Sequence, residues 1–411
     1  MTEARTFDLL DPEFKANPYP QYAELREHAP AVRVPMPDGR DAWLFTRYAD
    51  VATILTDRER FSTRTFLGQV GGPELPERVR GVYMLLNEIM LGKDPPEHTR
   101  LRTLVQKAFT ARLVEGLRPN IQRLADDLLD AVEARAEATG ERTMDLIADY
   151  AFPIPVTIIM DLLGIPRDRR DDIRRWSNAL AAFDGSVEVA EQIAPEVDAF
   201  IAYLRDLVVD KRRNPRDDLV TALVRAEENG DRLNDEELIA MIYVLIFAGH
   251  ETTLHLIGNG TLALLTHPDQ LDRLRGNPAL IRGAVEELLR YDPSVEVPRA
   301  RLAVTDVPLA GVTVHRGEVV LVSIASANRD SAAFPAAEEL DIGRADGQHL
   351  SFGKGIHTCV GAALARLEAQ VAFATLLRRL PDLALAIAPG DVTWRPGGIF
   401  LRGLAALPVT F

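Results

Sequence analysis

Phe-Gly-Lys-Gly-Ile-His-Thr-Cys-Val-Gly, residues 352–361, contains Cys359, the only cysteine in the chain of 411 residues. Gly353 and Gly355 allow a tight turn with positive φ before the cysteine, and Gly361 opens an apolar stretch that predicts a helix. The positive end of such a helix and the amides of a glycine-rich loop stabilise a negatively charged sulfur. The pattern therefore predicts a thiolate that acts as a metal ligand or as a nucleophile.

A lone cysteine is more often a small buried hydrophobic residue, and Cys359 alone would favour that interpretation. A cysteine protease also needs a histidine and an asparagine or aspartate to activate the thiol, and nothing in the sequence marks such partners. The residues around Cys359 favour a metal ligand over these two alternatives. Phe, Gly, Gly, His, Cys and Gly at their spacings in residues 352–361 resemble the haem-binding loop of the cytochrome P450 monooxygenases.

This resemblance implies a haem b cofactor (iron protoporphyrin IX) with Cys359 as the axial ligand of the iron. It also implies that His357 faces a haem propionate and that Phe352 packs near the sulfur. Gly361 and the alanines after it would let the helix backbone approach the flat macrocycle.

Composition and charge limit the class of protein. Hydrophobic residues make up 47% of the chain and charged residues 26%, as in ordinary globular proteins. The net charge of −14 disfavours nonspecific binding to nucleic acid or to an anionic membrane. A single cysteine excludes an internal disulfide, which agrees with a reducing compartment. The N-terminus lacks the apolar run of a signal peptide, and the longest uncharged apolar run, residues 238–249, is too short to span a bilayer. We expect a soluble, cytoplasmic protein.

The first hundred residues predict a small folded region followed by a lid. Residues 31–34 and 42–45 are apolar segments on either side of the turn signal Pro37-Asp38-Gly39, and they predict a hairpin. Residues 21–28, 48–55 and 57–61 look helical. Residues 62–93 are irregular, but their apolar segments favour a lid over a pocket rather than a disordered surface loop.

His98 and Arg102 stand four residues apart on one face of the helix that follows Asp94. A solvated helix face is the simpler interpretation of this spacing. The segment Asp-Pro-Pro-Glu-His-Thr-Arg-Leu-Arg nevertheless resembles the family's helix that sends a histidine and an arginine to the haem propionates. The resemblance implies that role for His98 and Arg102. Further helices are predicted over residues 119–136, 143–163, 167–183, 188–213 and 217–228.

A long buried helix is predicted to begin after the cap pair Asn234 and Glu237 and to end near His267. Within it, Ala248-Gly249-His250-Glu251-Thr252-Thr253 predicts a kink, because glycine and threonine both weaken a helix interior. A surface glutamate at a harmless kink is the simpler alternative. The motif resembles the family's oxygen-activation motif, in which the acid and the first threonine relay protons. Glu251 and Thr252 are therefore candidate catalytic residues, and Ala248 and Gly249 candidate haem contacts.

The region after residue 277 contains the remaining family motifs. Glu287 and Arg290 match the structural Glu-x-x-Arg pair, and Arg301 matches the arginine that binds a propionate, with Arg299 as the neighbouring candidate. Many relatives complete a triad with an arginine or histidine where this chain has Glu339. We expect Arg344 or His349 to substitute.

Strands are predicted over residues 295–304, 312–314 and 319–324, and a hairpin over residues 394–411. By resemblance, a turn of this hairpin reaches into the substrate pocket. Val295, Val297, Ile399 and Phe400 are the candidate pocket residues. A largely apolar pocket suits a hydrophobic natural product such as a polyketide, macrolide or terpenoid.

The resemblance implies the whole fold: a mainly α, α+β domain with small antiparallel β-sheets, triangular in outline, spanning residues 1–411. Haem would lie between the long central helix and the helix after the cysteine. The implied activity is monooxygenation, the hydroxylation or epoxidation of a hydrophobic small molecule with O2. Electrons would come from NAD(P)H through ferredoxin reductase and ferredoxin, and the protein would be a monomer. The alternatives are a peroxide-driven peroxygenase and a non-catalytic haem-thiolate gas sensor.

Overall fold

Helices carry most of the computed structural model, which describes residues 7–36, 39–64, 76–228, 231–345, 347–396 and 398–411. The α-helices, numbered α1 to α16 in chain order, are Pro12–Ala16, Tyr19–His28, Tyr48–Thr56, Arg80–Glu88, Glu97–Ala108, Ala111–Gly116, Arg118–Thr139, Pro153–Leu163, Arg170–Ala181, Val187–Arg213, Leu219–Arg225, Asp235–Thr266, Pro268–Gly276, Ile281–Tyr291, Ile324–Ala327 and Ala362–Arg379. A π-helical turn, Ile147–Ala151, precedes α8.

The strands are short. Numbered β1 to β12, they are Ala31–Pro35, Asp41–Phe45, Phe61–Ser62, Thr143–Asp145, Glu227–Glu228, Asp231–Arg232, Arg301–Ala303, Val307–Leu309, Val312–Val314, Val319–Val322, Ala384–Leu385 and Pro408–Thr410. The largest sheet has the order β1-β2-β10-β7-β3. All its pairs are antiparallel except β10 with β2, which is parallel, with Val319 opposite Ala42. The sheet is therefore mixed rather than antiparallel as expected, because the chain returns to β2 from a distant crossover.

The helix α12 organises the core. Asn234 caps it: the Glu237 amide donates to Asn234 Oδ1 over 2.9 Å, and the Asn234 amide donates to Glu237 Oε2 over 2.9 Å, which confirms the predicted cap pair. The helix is 32 residues long, about 48 Å at about 1.5 Å per residue. It packs against α8, α10 and α16, so its apolar surface is enclosed on several sides.

By length and composition, α12 meets the criteria for a membrane span. Residues 235–265 are long and apolar enough to cross a bilayer, since the helix extends well beyond the uncharged run of residues 238–249. However, 67% of its most apolar window is buried inside the protein, which is typical of a core helix.

Most predicted elements are confirmed with shifted ends, and the exceptions have local causes. The hairpin of β1 and β2 forms, although the turn residues 37 and 38 lie outside the described residues. Residues 57–61 are a turn leading into β3, not a helix, because Asp57 accepts from the Arg60 amide over 3.0 Å. Residues 143–145 form β4 rather than helix, since they pair with β12. Only residues 301–303 of the predicted strand over residues 295–304 are extended in a sheet.

The departure at Glu339 is compensated by Arg344. Glu287 accepts from Arg290 Nε at 2.7 Å and Nη2 at 2.8 Å, and Arg344 Nε lies 3.1 Å from its Oε2. Glu339 contributes only its backbone carbonyl, which accepts from Arg290 Nη2 at 2.9 Å. His349 instead contacts Glu286 at 3.2 Å. Arg344 is therefore the third member of the triad, as one of the two expected substitutes.

Replacing Arg344 by glutamine should destabilise the fold. The change removes charge-assisted hydrogen bonds to the Glu287 carboxylate, whose side chain is 2% exposed, and should lower the free energy of unfolding by about 2 kcal/mol. Glu339→Ala is the matched control and should change it by less than about 0.5 kcal/mol, because that side chain is exposed. Urea unfolding followed by circular dichroism measures both. Equal losses in the two variants would contradict the assignment.

Candidate active site

The cysteine loop has the turn geometry that its glycines predict. Gly353 and Gly355 have φ angles of 70° and 75°, in the left-handed region that favours glycine. The Cys359 amide donates to the Phe352 carbonyl over 2.8 Å and closes the loop. A Cβ at Gly355 would lie 3.0 Å from the Leu55 carbonyl oxygen, so the loop also packs tightly against α3. The helix α16 begins at Ala362, directly after Gly361.

Cys359 is exposed. Desolvation by the surrounding protein raises the pKa of its thiol, while the amides of Gly361 and Ala362 and the charges of Arg102 and Arg366 act to lower it. That the loop favours a thiolate therefore stays a prediction. A bound metal ion would supply further positive charge, because a coordinating thiol is deprotonated by the metal.

Unpaired imidazoles lie beside the cysteine. The His98 and His357 rings are 4.4 Å apart between centroids, and neither ring has a hydrogen-bond partner among the described residues. Burial, followed by the charges of neighbouring arginines, lowers the pKa of both, that of His357 to about 3. Asp94 acts in the opposite direction, but its carboxylate accepts hydrogen bonds from Ser62 and from the Thr63 amide.

Arginines complete this group. Arg102 Nη1 donates to the Thr358 carbonyl over 2.7 Å, which fixes α5 against the cysteine loop. Arg301 is 6% exposed and donates to the Arg299 carbonyl over 2.7 Å. Burial lowers the pKa of Arg301 to about 10, with a further contribution from Arg299. No carboxylate of the described residues forms an ion pair with Arg102, Arg299 or Arg301.

This group fits haem. Buried polar groups are almost always paired in native proteins, so unpaired imidazoles and cations imply an acceptor that the chain itself does not supply. Two propionate carboxylates have that chemistry. A thiol among these donors matches an iron ligand, and a helix that follows Gly361 and begins with Ala362 and Ala363 offers a backbone that a flat ring could approach.

The motif of residues 248–253 lies on α12 without breaking it. Ala248 is exposed and Thr252 partly so, although the helix around them is buried. Thr252 Oγ1 donates to the Ala248 carbonyl over 2.7 Å, and the Ser294 hydroxyl donates to the Thr252 carbonyl over 2.6 Å. A Cβ at Gly249 would lie 3.1 Å from Ile159, so glycine permits close packing against α8. No described feature tests the predicted kink.

Glu251 is buried in a cluster of basic groups. Its carboxylate lies 2.6 Å from Arg395 Nη1, 3.2 Å from His250 Nε2 and 3.6 Å from His255 Nε2. Burial alone would raise the pKa of Glu251, but contact with His250 and the charges of Arg395 and His255 hold it well below its usual range. The pKa of His255 is lowered to about 4, chiefly by burial. Glu251 is therefore an ionised carboxylate in this conformation.

A largely apolar cavity of about 270 Å³ lies beside Ala248. Val297, Ile399 and Phe400 line it, as predicted, together with Leu86, Ile89 and Leu91 from the predicted lid. Residues 65–75 of that lid lie outside the described residues. Val295 does not line the cavity: it pairs with Leu401 in an isolated bridge and packs on a separate core cluster. Bends at residues 296 and 297 remove the strand alternation that would have put both valines on one face.

Sequence reasoning missed Arg395. Its Nη1 binds Glu251, and its Nη2 donates to Asn178 Oδ1 of α9 over 2.7 Å. The predicted hairpin places it there, since the Arg395 amide donates to the Gly403 carbonyl over 2.9 Å. Nothing in the residues around position 395 marks this role, which depends on a contact across 144 positions of the chain.

Comparison with known proteins supports the same assignment. The Cytochrome P450 family model matches residues 77–381. Cytochrome P450 107B1 of Saccharopolyspora erythraea is 46% identical over 100% of this chain and 99% of its own length. Mycinamicin IV hydroxylase/epoxidase of Micromonospora griseorubida is 43% identical over 95% of each chain.

A solved structure agrees over the same extent. The Bacillus subtilis 168 bacillaene polyketide synthase cytochrome P450 PksS superimposes with a TM-score of 0.88 at 40% identity. The match covers 98% of this chain and 99% of that one. Family membership implies haem, O2, a small-molecule substrate and redox partners. The chain belongs to the cytochrome P450 family, and it is a haem-dependent monooxygenase.

Proposed function

We propose that this monooxygenase hydroxylates or epoxidises a hydrophobic small molecule, polyketide-like or macrolide-like, in secondary metabolism. The observation that carries the proposal is the cavity of about 270 Å³ beside Ala248, whose wall is mostly aliphatic and aromatic. Burial of an apolar ligand in such a wall supplies binding energy without specific polar contacts. The names of the mycinamicin hydroxylase/epoxidase and of PksS, a polyketide biosynthesis enzyme, support the same substrate class.

The roles of the site residues belong to the same proposal. Cys359 holds the iron, while His98, Arg102, Arg301 and His357 hold the propionates. Haem, when bound, supplies oxygen activation, and a thiolate ligand favours O–O cleavage. Phe352, Ala248, Gly249 and Gly361 shape the surfaces on either side of the ring. Residues 1–411 then form one catalytic domain.

We assign proton delivery to Thr252 and Glu251 of α12. Thr252 presents its hydroxyl at the exposed face of the helix, next to Ala248. Glu251 lies one residue away and contacts Arg395, whose side chain is 26% exposed. Protons from solvent reach the Glu251 carboxylate when the Arg395 contact opens, and Thr252 directs them toward the substrate side of the helix. Arg395 and Asn178, which also line the cavity, position Glu251 through their contacts.

The two alternatives are separable by experiment. A peroxygenase would turn over with hydrogen peroxide alone, and a gas sensor would form no product under any condition. Purified holoenzyme is supplied with NADPH and a surrogate ferredoxin and ferredoxin reductase, or with peroxide alone. The proposal predicts product from a hydrophobic test substrate, such as a macrolide precursor, mainly in the first case. Turnover with peroxide alone at the same rate would favour the peroxygenase.

Thr252→Ala should separate electron use from product formation. The fold should lose only about 1 kcal/mol, since one hydroxyl hydrogen bond to a helix carbonyl is removed. Reducing equivalents would still be consumed, but a larger share would leave as hydrogen peroxide. The ratio of product to NADPH oxidised, with peroxide measured in parallel, gives the answer. Wild-type coupling in this variant would show that Thr252 has only a structural role.

Glu251→Gln tests the other half of the proton path. Removing the carboxylate should slow turnover by a factor of about 100 while leaving the haem spectrum unchanged. Thr266→Ala is the matched control for Thr252→Ala, because both hydroxyls donate to the carbonyl four residues earlier in α12. A Glu251→Gln enzyme with wild-type turnover would place proton entry elsewhere.

We also propose that electrons come from ferredoxin, reduced by ferredoxin reductase and NAD(P)H, at the cysteine side of the protein. Arg100, Lys107, Arg112, Lys354 and Arg366 are the basic residues of the docking face. The charge of this face is smaller than the sequence suggests, because Arg100 binds Glu237 and Arg366 binds Glu286 at 2.7 Å. Arg112 is exposed on α6. A monomeric, cytoplasmic protein fits such a partner.

Reversing the charge of Arg112 should weaken the reaction with an acidic ferredoxin. Arg112→Glu should lower the rate of reduction several-fold at low salt, and the difference from wild type should shrink as salt screens the face. Arg100→Gln is the comparison: it changes the charge of the face by one unit instead of two, so it should have a smaller effect. Stopped-flow reduction at several ionic strengths measures both. A wild-type rate independent of salt would argue against this docking face.

A further inference from the structure

His250 lies in the core beside Glu251, and each of its ring nitrogens is close to an oxygen atom. Its side chain has no exposed surface. Nδ1 lies 2.6 Å from the Ile246 carbonyl oxygen, four residues earlier in α12, and Nε2 lies 3.2 Å from Glu251 Oε1. The second contact is an ionic contact rather than an aligned hydrogen bond. A carbonyl and an ionised carboxylate are both acceptors, so neither can supply a hydrogen to the ring.

These two contacts determine how many protons the His250 ring carries. A neutral imidazole has one hydrogen and leaves a lone pair on the other nitrogen. The short Nδ1 contact requires that hydrogen, because its partner is a carbonyl. A neutral His250 would then hold the lone pair of Nε2 close to a negatively charged oxygen 3.2 Å away. A second hydrogen on Nε2 replaces this repulsion by the attraction of an ion pair.

His267 makes the same backbone contact, but the partner of its second nitrogen is different. Its Nδ1 lies 2.7 Å from the Ala263 carbonyl oxygen, again four residues earlier, and its Nε2 lies 3.4 Å from the Tyr291 hydroxyl. A hydroxyl can donate, so a single hydrogen on Nδ1 satisfies the His267 ring. The ionised Glu251 cannot donate to His250. The two rings therefore differ in charge because of the partner of Nε2.

The ionisable groups around His250 meet at the Glu251 carboxylate. No other charged side chain of the described residues pairs with that carboxylate besides Arg395, His250 and His255. Arg395 has a side chain that is 26% exposed, so solvent screens part of its charge. Burial lowers the pKa of His255 to about 4, so His255 adds no charge at neutral pH. The His250 ring also meets Phe152, which is uncharged, with 6.1 Å between centroids. The carboxylate can therefore accommodate a second cation.

We infer that His250 holds a proton on Nε2 and releases it to Glu251 during turnover, so that one proton of the reaction is stored inside the fold. The inference rests on the proposed proton path through Glu251 and deepens it. In the transfer, the Nε2–H bond of His250 breaks and an O–H bond forms on Glu251 Oε1, which leaves a neutral imidazole and a neutral acid. The acid passes the proton on toward Thr252.

The burial of His250 also determines how the store is refilled. Because its side chain has no exposed surface, a new proton reaches Nε2 through the Glu251 carboxylate when the Arg395 contact opens. His250 is a positioning residue for the proton path, since it acts only through Glu251.

Nitrogen NMR on histidine-labelled protein tests the stored proton directly. The haem-loaded enzyme, reduced and saturated with carbon monoxide so that it is diamagnetic, is measured at pH 7.5 with 15N in its 8 histidines. His250→Gln identifies the His250 signals by their absence, and His250→Phe serves the same purpose if the glutamine variant does not fold. We expect hydrogen on both ring nitrogens of His250 in the wild type. In Glu251→Gln we expect it on one nitrogen, because the amide can donate to the other. His267 is the matched control, with hydrogen on one nitrogen in both proteins.

Turnover at two pH values gives a readout that a purely structural role of His250 would not change. In His250→Gln, product formation with NADPH, ferredoxin and ferredoxin reductase should fall several-fold relative to wild type at pH 7.5. It should recover in part at pH 6, because each proton must then come from solvent. His267→Gln should stay near the wild-type rate at both pH values.

A His250 with hydrogen on only one ring nitrogen in the wild-type protein would overturn the inference. Wild-type turnover in His250→Gln, or a loss of the same size at both pH values, would also overturn it. The NMR result does not depend on turnover, so a failure of the proposed proton path is recognised separately, as wild-type turnover in Glu251→Gln.

Discussion

A buried donor that finds no acceptor in its own chain is the constraint on which this structure depends. His98, His357 and Arg301 carry imidazole and guanidinium groups into the interior near Cys359, and no carboxylate of the described residues pairs with them. Such an arrangement is unfavourable for the chain alone. A bound haem would place its two propionates beside these donors, and its iron would deprotonate the Cys359 thiol. Cofactor binding and stability of this part of the fold are therefore linked.

The helix α12 meets two opposing demands. It is the central element of the core, and most of it is buried among α8, α10 and α16. At Ala248, Gly249 and Thr252 it must also present small or polar groups to an open space. Gly249 allows close packing in the core because it lets Ile159 approach the helix. Thr252 provides the polar group at the open space through its hydroxyl. Glu251, on the buried side, is stabilised by Arg395, which ties the helix to the C-terminal hairpin and to α9.

Local patterns predicted what depends on local chemistry. The cap at Asn234, the glycine turns before Cys359 and the length of α12 all follow from residues close together in sequence. The family resemblance placed His98, Arg102, Arg301 and His357 in one group, and the structure brings them together. The sequence could not give contacts that join distant segments. Arg395 against Glu251, Arg344 in place of position 339, and the parallel pairing of β10 with β2 depend on tertiary packing. Val295 was misplaced because backbone bends break a regular alternation.

The central claim is that Cys359 ligates haem iron as a thiolate. The most direct measurement is the absorption spectrum of the freshly purified protein, reduced and exposed to carbon monoxide. The account predicts the strongly red-shifted Soret band of a thiolate-ligated haem, and its loss in Cys359→His with haem retained. An unshifted, imidazole-type spectrum from active wild-type protein would contradict it.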